Sequence, residues 1–251
     1  EVGGTVLQLN QNLLSLIVEE QNEVLSLDIP FGNELLSVKL IKTDLGDVNV
    51  RLISEGENSG RVSSRGVFYH GYIDGEENSI GSMSFTKNNV YGMFASEIHS
   101  NLSFTKLENN TYLFYPDKDF DRSNYTYCSA EDEDLPQGAP EEINETSANN
   151  DNCVQMEWVV SYRLYQRVGS NIEEVEDFIL GLFNNVQVMY ENEDISTKLK
   201  ELVIYDEADP FDHSNSGEAL TTFRDLYPHN QAGVLYHLLD LSGNNNGGRA
   251  Y

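Results

Sequence analysis

A chain of 251 residues that is 39% hydrophobic has enough apolar surface for one large domain or two small ones, and it needs no disulfide framework to fold. Its 15 basic and 42 acidic residues give a net charge of −27, which excludes nucleic-acid binding and electrostatic docking on anionic membranes, because both require clustered Lys and Arg. It contains no run of about 18 apolar residues, so no helix is expected to span a bilayer.

From residue 1 to about 120 the pattern has period two. Leu36, Val38 and Leu40 alternate with Ser37 and Lys39, Val48, Val50 and Leu52 with Asn49 and Arg51, and Met83 and Phe85 with Ser82, Ser84 and Thr86. Asp74-Gly75, Asn88-Asn89 and Asn109-Asn110 are turn signals between such runs. Antiparallel, half-buried strands are expected, and residues 1–128 read as an all-β domain. Residues 129–152 (SAEDEDLPQGAPEEINETSANNDN) carry eight acidic residues and two prolines with no apolar periodicity, the composition of a solvated linker. Residues 123–162 contain neither Lys nor Arg.

Strand–helix alternation begins after the linker. Gln155–Ser161 reads as a strand, and Ser170-x-x-Glu173 as a capping box ahead of a helix with apolar residues at 172, 175, 178, 179, 182, 183 and 186. A strand at 199–205, a helix opened by Ser216 and Glu218 and closed by Pro228, and a strand at 232–240 follow. This order predicts a largely parallel sheet over residues 153–251, and hence an α+β chain overall.

Chemistry-bearing motifs are sparse. No His-Glu-x-x-His, Gly-x-Ser-x-Gly or P-loop occurs, and His70, His99, His213, His229 and His237 lack ligand spacing. Asp206, Glu207, Asp209 and Asp212 are the carboxylates that could gather around calcium, although solvation is the plainer reading of such a loop. Cys128 and Cys153 are the only cysteines. Cys128, in NYTYCSAEDED, has three readings: a thiolate offered to a metal, a surface thiol, or the partner of Cys153. Asn-x-Ser/Thr sequons at Asn101, Asn109, Asn124 and Asn144 point towards secretion.

The order of these parts resembles the zymogens of reprolysin (ADAM-like, adamalysin) zinc metalloproteases. HGYIDGEENSIGSMSFTKNNVYGMFAS is similar to the family's propeptide strand–turn–strand, and NYTYCSAEDED to its cysteine switch. The stretch from Asp151 to Phe211 is similar to the opening strand, long helix and second strand of the metzincin catalytic domain, and AGVLYHLLDLSGNNNGGRAY to its next two strands. The resemblance implies a β-rich propeptide-like domain over 1–128, an acidic linker over 129–152, and the N-terminal part of a metzincin-like catalytic domain over 153–251.

The function implied is part of a secreted zinc-dependent metalloendopeptidase precursor acting on protein or peptide substrates. Cys128 would be the switch ligand to a zinc held by residues beyond 251, and Cys153 would pair with a later cysteine. Several features depart from the family. The zinc motif follows the Gly-x-Ala-Tyr strand there, so this stretch alone is expected to bind no zinc and to be inactive. Val234 or a neighbour stands where a calcium-binding aspartate is usual, and the basic convertase site of the linker has no counterpart. The rival readings are a non-catalytic binding or inhibitory module with the same two parts, and an unrelated acidic glycosylated protein.

Overall fold

Alternation of apolar with small or polar residues lays down most of the first half as one antiparallel sheet. The computed structural model describes residues 3–55, 60–119, 153–228 and 233–241. In chain order the first half contains β1 (Thr5–Gln8), α1 (Gln11–Glu20), β2 (Val24–Phe31), β3 (Glu34–Thr43), β4 (Asn49–Leu52), β5 (Arg61–Val62), β6 (Val67–Ile73), β7 (Ile80–Phe85), β8 (Val90–Ser96), β9 (Ser100–Lys106) and β10 (Thr111–Pro116). The second half contains β11 (Val154–Val160), α2 (Tyr162–Arg167), α3 (Ile172–Glu191), β12 (Thr197–Ile204), α4 (Ser216–Leu226) and β13 (Val234–Leu239). The fold is α+β.

Sheet A has eight strands in the order β1-β10-β9-β8-β7-β6-β3-β2. It curls until its two edges approach, and the Gly32 amide donates to Thr5 Oγ1 across the gap at 2.7 Å. The enclosed face carries Val38, Leu40, Tyr69, Met83, Phe85, Phe94 and Phe114. Asn109 and Asn110 turn the β9–β10 hairpin with φ of 54° and 59°, the left-handed conformation that Asn tolerates.

Two features depart from an all-β first half. Helix α1 plugs the curl with Leu14 and Ile17, and Asn10 caps it by accepting from the Asn12 and Leu13 amides. A capping Asn ahead of apolar positions three apart overrides the β propensity of the valine and isoleucines around it. In addition, β4 and β5 leave sheet A altogether.

Sheet B has the order β13-β11-β12-β4-β5, with β11 parallel to both β12 and β13, as the strand–helix alternation predicts. Strand β4, drawn from the first half, adds in parallel to β12 with Val50 opposite Leu202. The boundaries expected at residues 128 and 153 therefore do not divide the two sheets. Residues 129–152, the expected linker, lie outside the described residues.

The long helix occupies the position expected for it, with a different cap. Asn171 accepts from the Glu174 amide, while Ser170 sits at φ 55°, where it cannot serve as the β-region N-cap of a capping box. One face of α3 packs Val175, Ile179, Leu180 and Phe183 on sheet B, with Phe183 edge-on to Trp158 at 5.3 Å. The other face lies on β6, β7 and β8 of sheet A. The layers run sheet A, α3, sheet B and α4, and Phe211, Ala219 and Phe223 pack against Val159 and Val203 on the far side.

Helix and sheet approach most closely at Gly181, where an added Cβ would stand 2.7–2.8 Å from Tyr91 side-chain atoms. Alanine there gains about 1 kcal/mol of helix propensity against an overpacking cost of about 1–3 kcal/mol, which leaves a net cost between zero and about 2 kcal/mol. Valine gains less helix propensity and crowds more. Gly181→Val is therefore expected to destabilise the protein by about 2 kcal/mol or more in urea denaturation, with helical content retained at low urea.

Candidate functional site

The polar face of α3 gathers two buried carboxylates and the two arginines that pair with them. Asp177, Gly181, Asn184 and Glu191 follow one another at helical spacing and face sheet A. Glu176 and Asp177 are fully buried in the second turn of the helix. Asp177 accepts from Arg65 Nε at 2.6 Å, from Thr86 Oγ1 at 2.7 Å and from Asn89 Nδ2 at 3.5 Å. Glu176 is held by Arg61 and by the Ser63 hydroxyl. Both arginines belong to the excursion between β3 and β6 that contributes β4 and β5. The hydrogen bond to Asp177 holds the Arg65 guanidinium above its ordinary pKa. Burial pushes the Tyr91 phenol above its ordinary range, so it stays neutral beside Asp177.

Further along the helix, Asn184 Nδ2 donates to the Met83 carbonyl at 3.1 Å and to Ser84 Oγ at 3.0 Å, while its Oδ1 faces His70 Nε2 at 3.0 Å. His70 Nδ1 meets Glu191 at 2.7 Å, and the Ser82 hydroxyl donates to Asn185 at 2.7 Å. Ser82, Ser84 and Thr86, which read as the solvent side of a strand, are thus buried under α3. Where the excursion leaves sheet A, an open cavity of about 430 Å³ is lined by Lys42, Asp44, Arg65, Phe68 and Leu180 among others.

A second cluster lies at the carboxyl ends of the parallel strands, the usual location of ligand sites in such sheets. His213 Nδ1 meets Asp240 at 2.7 Å and its Nε2 meets Asp209 at 3.2 Å. The Ser161 hydroxyl donates to Asp240 at 2.6 Å, and the Tyr162 amide donates to Asp209 at 2.7 Å. With a carboxylate on each ring nitrogen and Ser161 turned to Asp240, the group has no serine–histidine pair. It ties the 206–213 loop to the ends of β11 and β13.

The four carboxylates of that loop diverge. Asp206 accepts from Ser54, Asp209 accepts from the Tyr162 and Phe211 amides and lies beside His213, and Asp212 accepts from Ser214, whose hydrogen bonds hold its pKa below the ordinary carboxylate value, while Glu207 is exposed. Among the described residues no three His, Cys, Asp or Glu side chains gather where a metal ion would sit, and the described residues do not assemble a zinc ligand set. Cys128 and His229 lie outside the described residues, and Cys153 is half-buried just ahead of β11. His99 meets Glu76 at 3.0 Å. His237 stands beside Trp158 in β13. No protein-family model matches the chain, and no curated protein does.

Periodicity alone assigns the polar face of α3 to solvent. Two signals in the sequence mark it as covered: Gly181, Asn184 and Asn185 are poor helix formers in mid-helix, and the facing strand carries Ser and Thr where an exposed strand usually carries Lys or Glu.

Two measurements probe these contacts. Arg65→Ala should cost about 3–5 kcal/mol in denaturant unfolding, since it leaves the Asp177 carboxylate buried without its counter-charge, and adding Asp177→Asn should recover part of the loss. Burial lowers the His237 imidazole below its ordinary value of 6.5. The unfolded chain then binds the proton more tightly, so this contribution to stability is complete above about pH 6.5 and falls as pH drops towards the folded-state pKa. Unfolding midpoints between pH 7.5 and 5 should fall less steeply in His237→Asn than in the parent.

Proposed function

We propose that this chain is the propeptide and the first part of the catalytic domain of a secreted zinc-dependent metalloendopeptidase precursor, with sheet A holding the α/β half latent. One observation carries the reading. A sheet from the first half covers the polar face of α3 and lends β4 to the second sheet, so the two parts clasp each other through charged and hydrogen-bonded groups. The contact on the polar face of α3 is of the kind that suits parts that separate, while Leu45, Val48 and Val50 of the first half also enter the apolar core of sheet B. The parallel pairing of β11 with β12 and β13 and the intervening long helix α3 support this reading, since the resemblance to reprolysins implies strand–helix alternation over this stretch.

In this reading residues that follow in the precursor would hold the zinc, and Cys128 would be its switch ligand. Zinc held there would supply Lewis-acid chemistry for hydrolysis of a protein or peptide substrate. The residues of this chain position and cover. Arg61 and Arg65 keep the first half on α3, and β11 to β13 form the sheet on which the remainder of the domain would be built.

The reading is tested by expressing the reading frame continued past Tyr251. The expected product binds zinc in a ratio of about one per chain, shows little hydrolysis of a quenched peptide, and gains activity that chelators abolish when Cys128→Ala removes the sulfur. A continued chain that binds no zinc would instead mark the pair as a non-catalytic binding module.

A further inference from the structure

His70 sits on the outer face of β6, opposite Ile41 of β3 and Ser82 of β7, and lies under α3 with 13% of its side chain exposed. Its two ring nitrogens meet two successive turns of the helix face. Nδ1 stands 2.7 Å from Glu191 Oε2, and Nε2 stands 3.0 Å from Asn184 Oδ1. We propose that this ring is a proton-dependent latch between the two halves of the chain. As an imidazolium it fastens the C-terminal end of α3 to sheet A, and loss of one proton loosens that end. The latch belongs to the interface itself and stands whether or not the chain leads to a zinc site.

Both partners of the ring are acceptors. A neutral imidazole carries one N–H and would leave its other nitrogen with a lone pair against an oxygen, whereas an imidazolium donates from both. Turning the Asn184 amide over does not relieve the conflict. Its Nδ2 already donates to the Tyr69 and Met83 carbonyls, at 3.4 and 3.1 Å, and to Ser84 Oγ at 3.0 Å. Asn184 is fully buried, so its oxygen depends on the ring for a donor. Glu191, at the rim, supplies the counter-charge.

The other groups around the ring are uncharged or committed elsewhere. On β3 the Lys39 ammonium is turned to Asp74 and that of Lys42 to Gln21. On β7 Ser82 bonds to Asn185, and on α3 Gln187 donates to the Asp44 and Thr197 carbonyls. The N-terminal end of the same interface is held by Arg61 and Arg65 on Glu176 and Asp177, and a guanidinium keeps its charge throughout the physiological range. Protonation therefore acts on one end of α3 only. Imidazole is the side chain whose charge ordinarily changes between about pH 5 and 8. A contact made by the protonated ring is complete on the acid side and is lost as pH rises through the titration of the ring.

The test follows the His70 ring nitrogens by NMR in the 251-residue chain at about pH 5.5 and about pH 8.5, on either side of the ordinary imidazole titration. Amide-exchange protection along α3 is measured at the same two values and corrected for the intrinsic pH dependence of exchange. The expected result is two ring protons in acid and one in base. Protection of residues 184–191 should fall about fivefold or more at the higher pH, while that of residues 175–179 changes by less than about twofold. His70→Gln, which has no titrating proton, should show no such fall in residues 184–191. A single ring proton at the lower pH would overturn the latch, as would unchanged protection once the second proton has left. A fall that persists in His70→Gln belongs to another group and overturns it equally. If that variant does not fold, the ring protons and the two stretches of α3 in the parent decide the matter.

Discussion

The two sheets of this protein meet at α3. An isolated amphipathic helix has one apolar face and one solvated face, but here both are covered, the first by sheet B and the second by sheet A. Covering the second face buries Glu176 and Asp177, and a carboxylate without a counter-charge in such a place costs several kcal/mol. Arg61 and Arg65 meet that demand and are delivered by a single excursion of the chain. The stretch that carries them also adds β4 to β12 and buries Val48 and Val50 in the core of sheet B.

The same charges make the contact specific more than adhesive. A buried ion pair contributes little net stability over an apolar pair of similar size, yet it strongly penalises misplacement. Asn184 adds to this, because its amide hydrogens are committed to β7 and its oxygen to His70, so sliding the helix along the sheet would leave polar groups unmatched. If sheet A were removed, α3 would present Asp177, Asn184 and Glu191 to water, an ordinary solvated helix face. That property suits a part that leaves, and it is the physical basis for reading the first half as a propeptide.

The second cluster fits the same picture. His213, Asp209, Asp240 and Ser161 fasten the loop after β12 to the ends of β11 and β13, so the carboxyl edge of sheet B is ordered by its own side chains. Sheet A covers the polar face of α3, and β4 covers the edge of β12. The two sites therefore divide the work between holding the α/β half together and holding the first half to it.

Much of the fold is determined by local pattern. The strands around Val38, Met83, Trp158 and Leu202, the long helix from Ile172 and the turns at Asn109 and Asn110 follow from periodicity and backbone preference, which neighbouring residues carry among themselves. The α1 helix was also written locally, in its Asn10 cap, and was obscured by the β-branched residues that follow. The charge of −27 likewise belongs to the sequence alone. What only the tertiary structure decides is which polar surfaces are inside. Ser84, Thr86 and Asp177 look solvent-facing in one dimension, and Arg61 and Glu176 are separated by more than a hundred residues. Their pairing depends on two sheets closing on one helix. No local spacing encodes that, because burial of charge is settled by long-range packing and the counter-charges it brings.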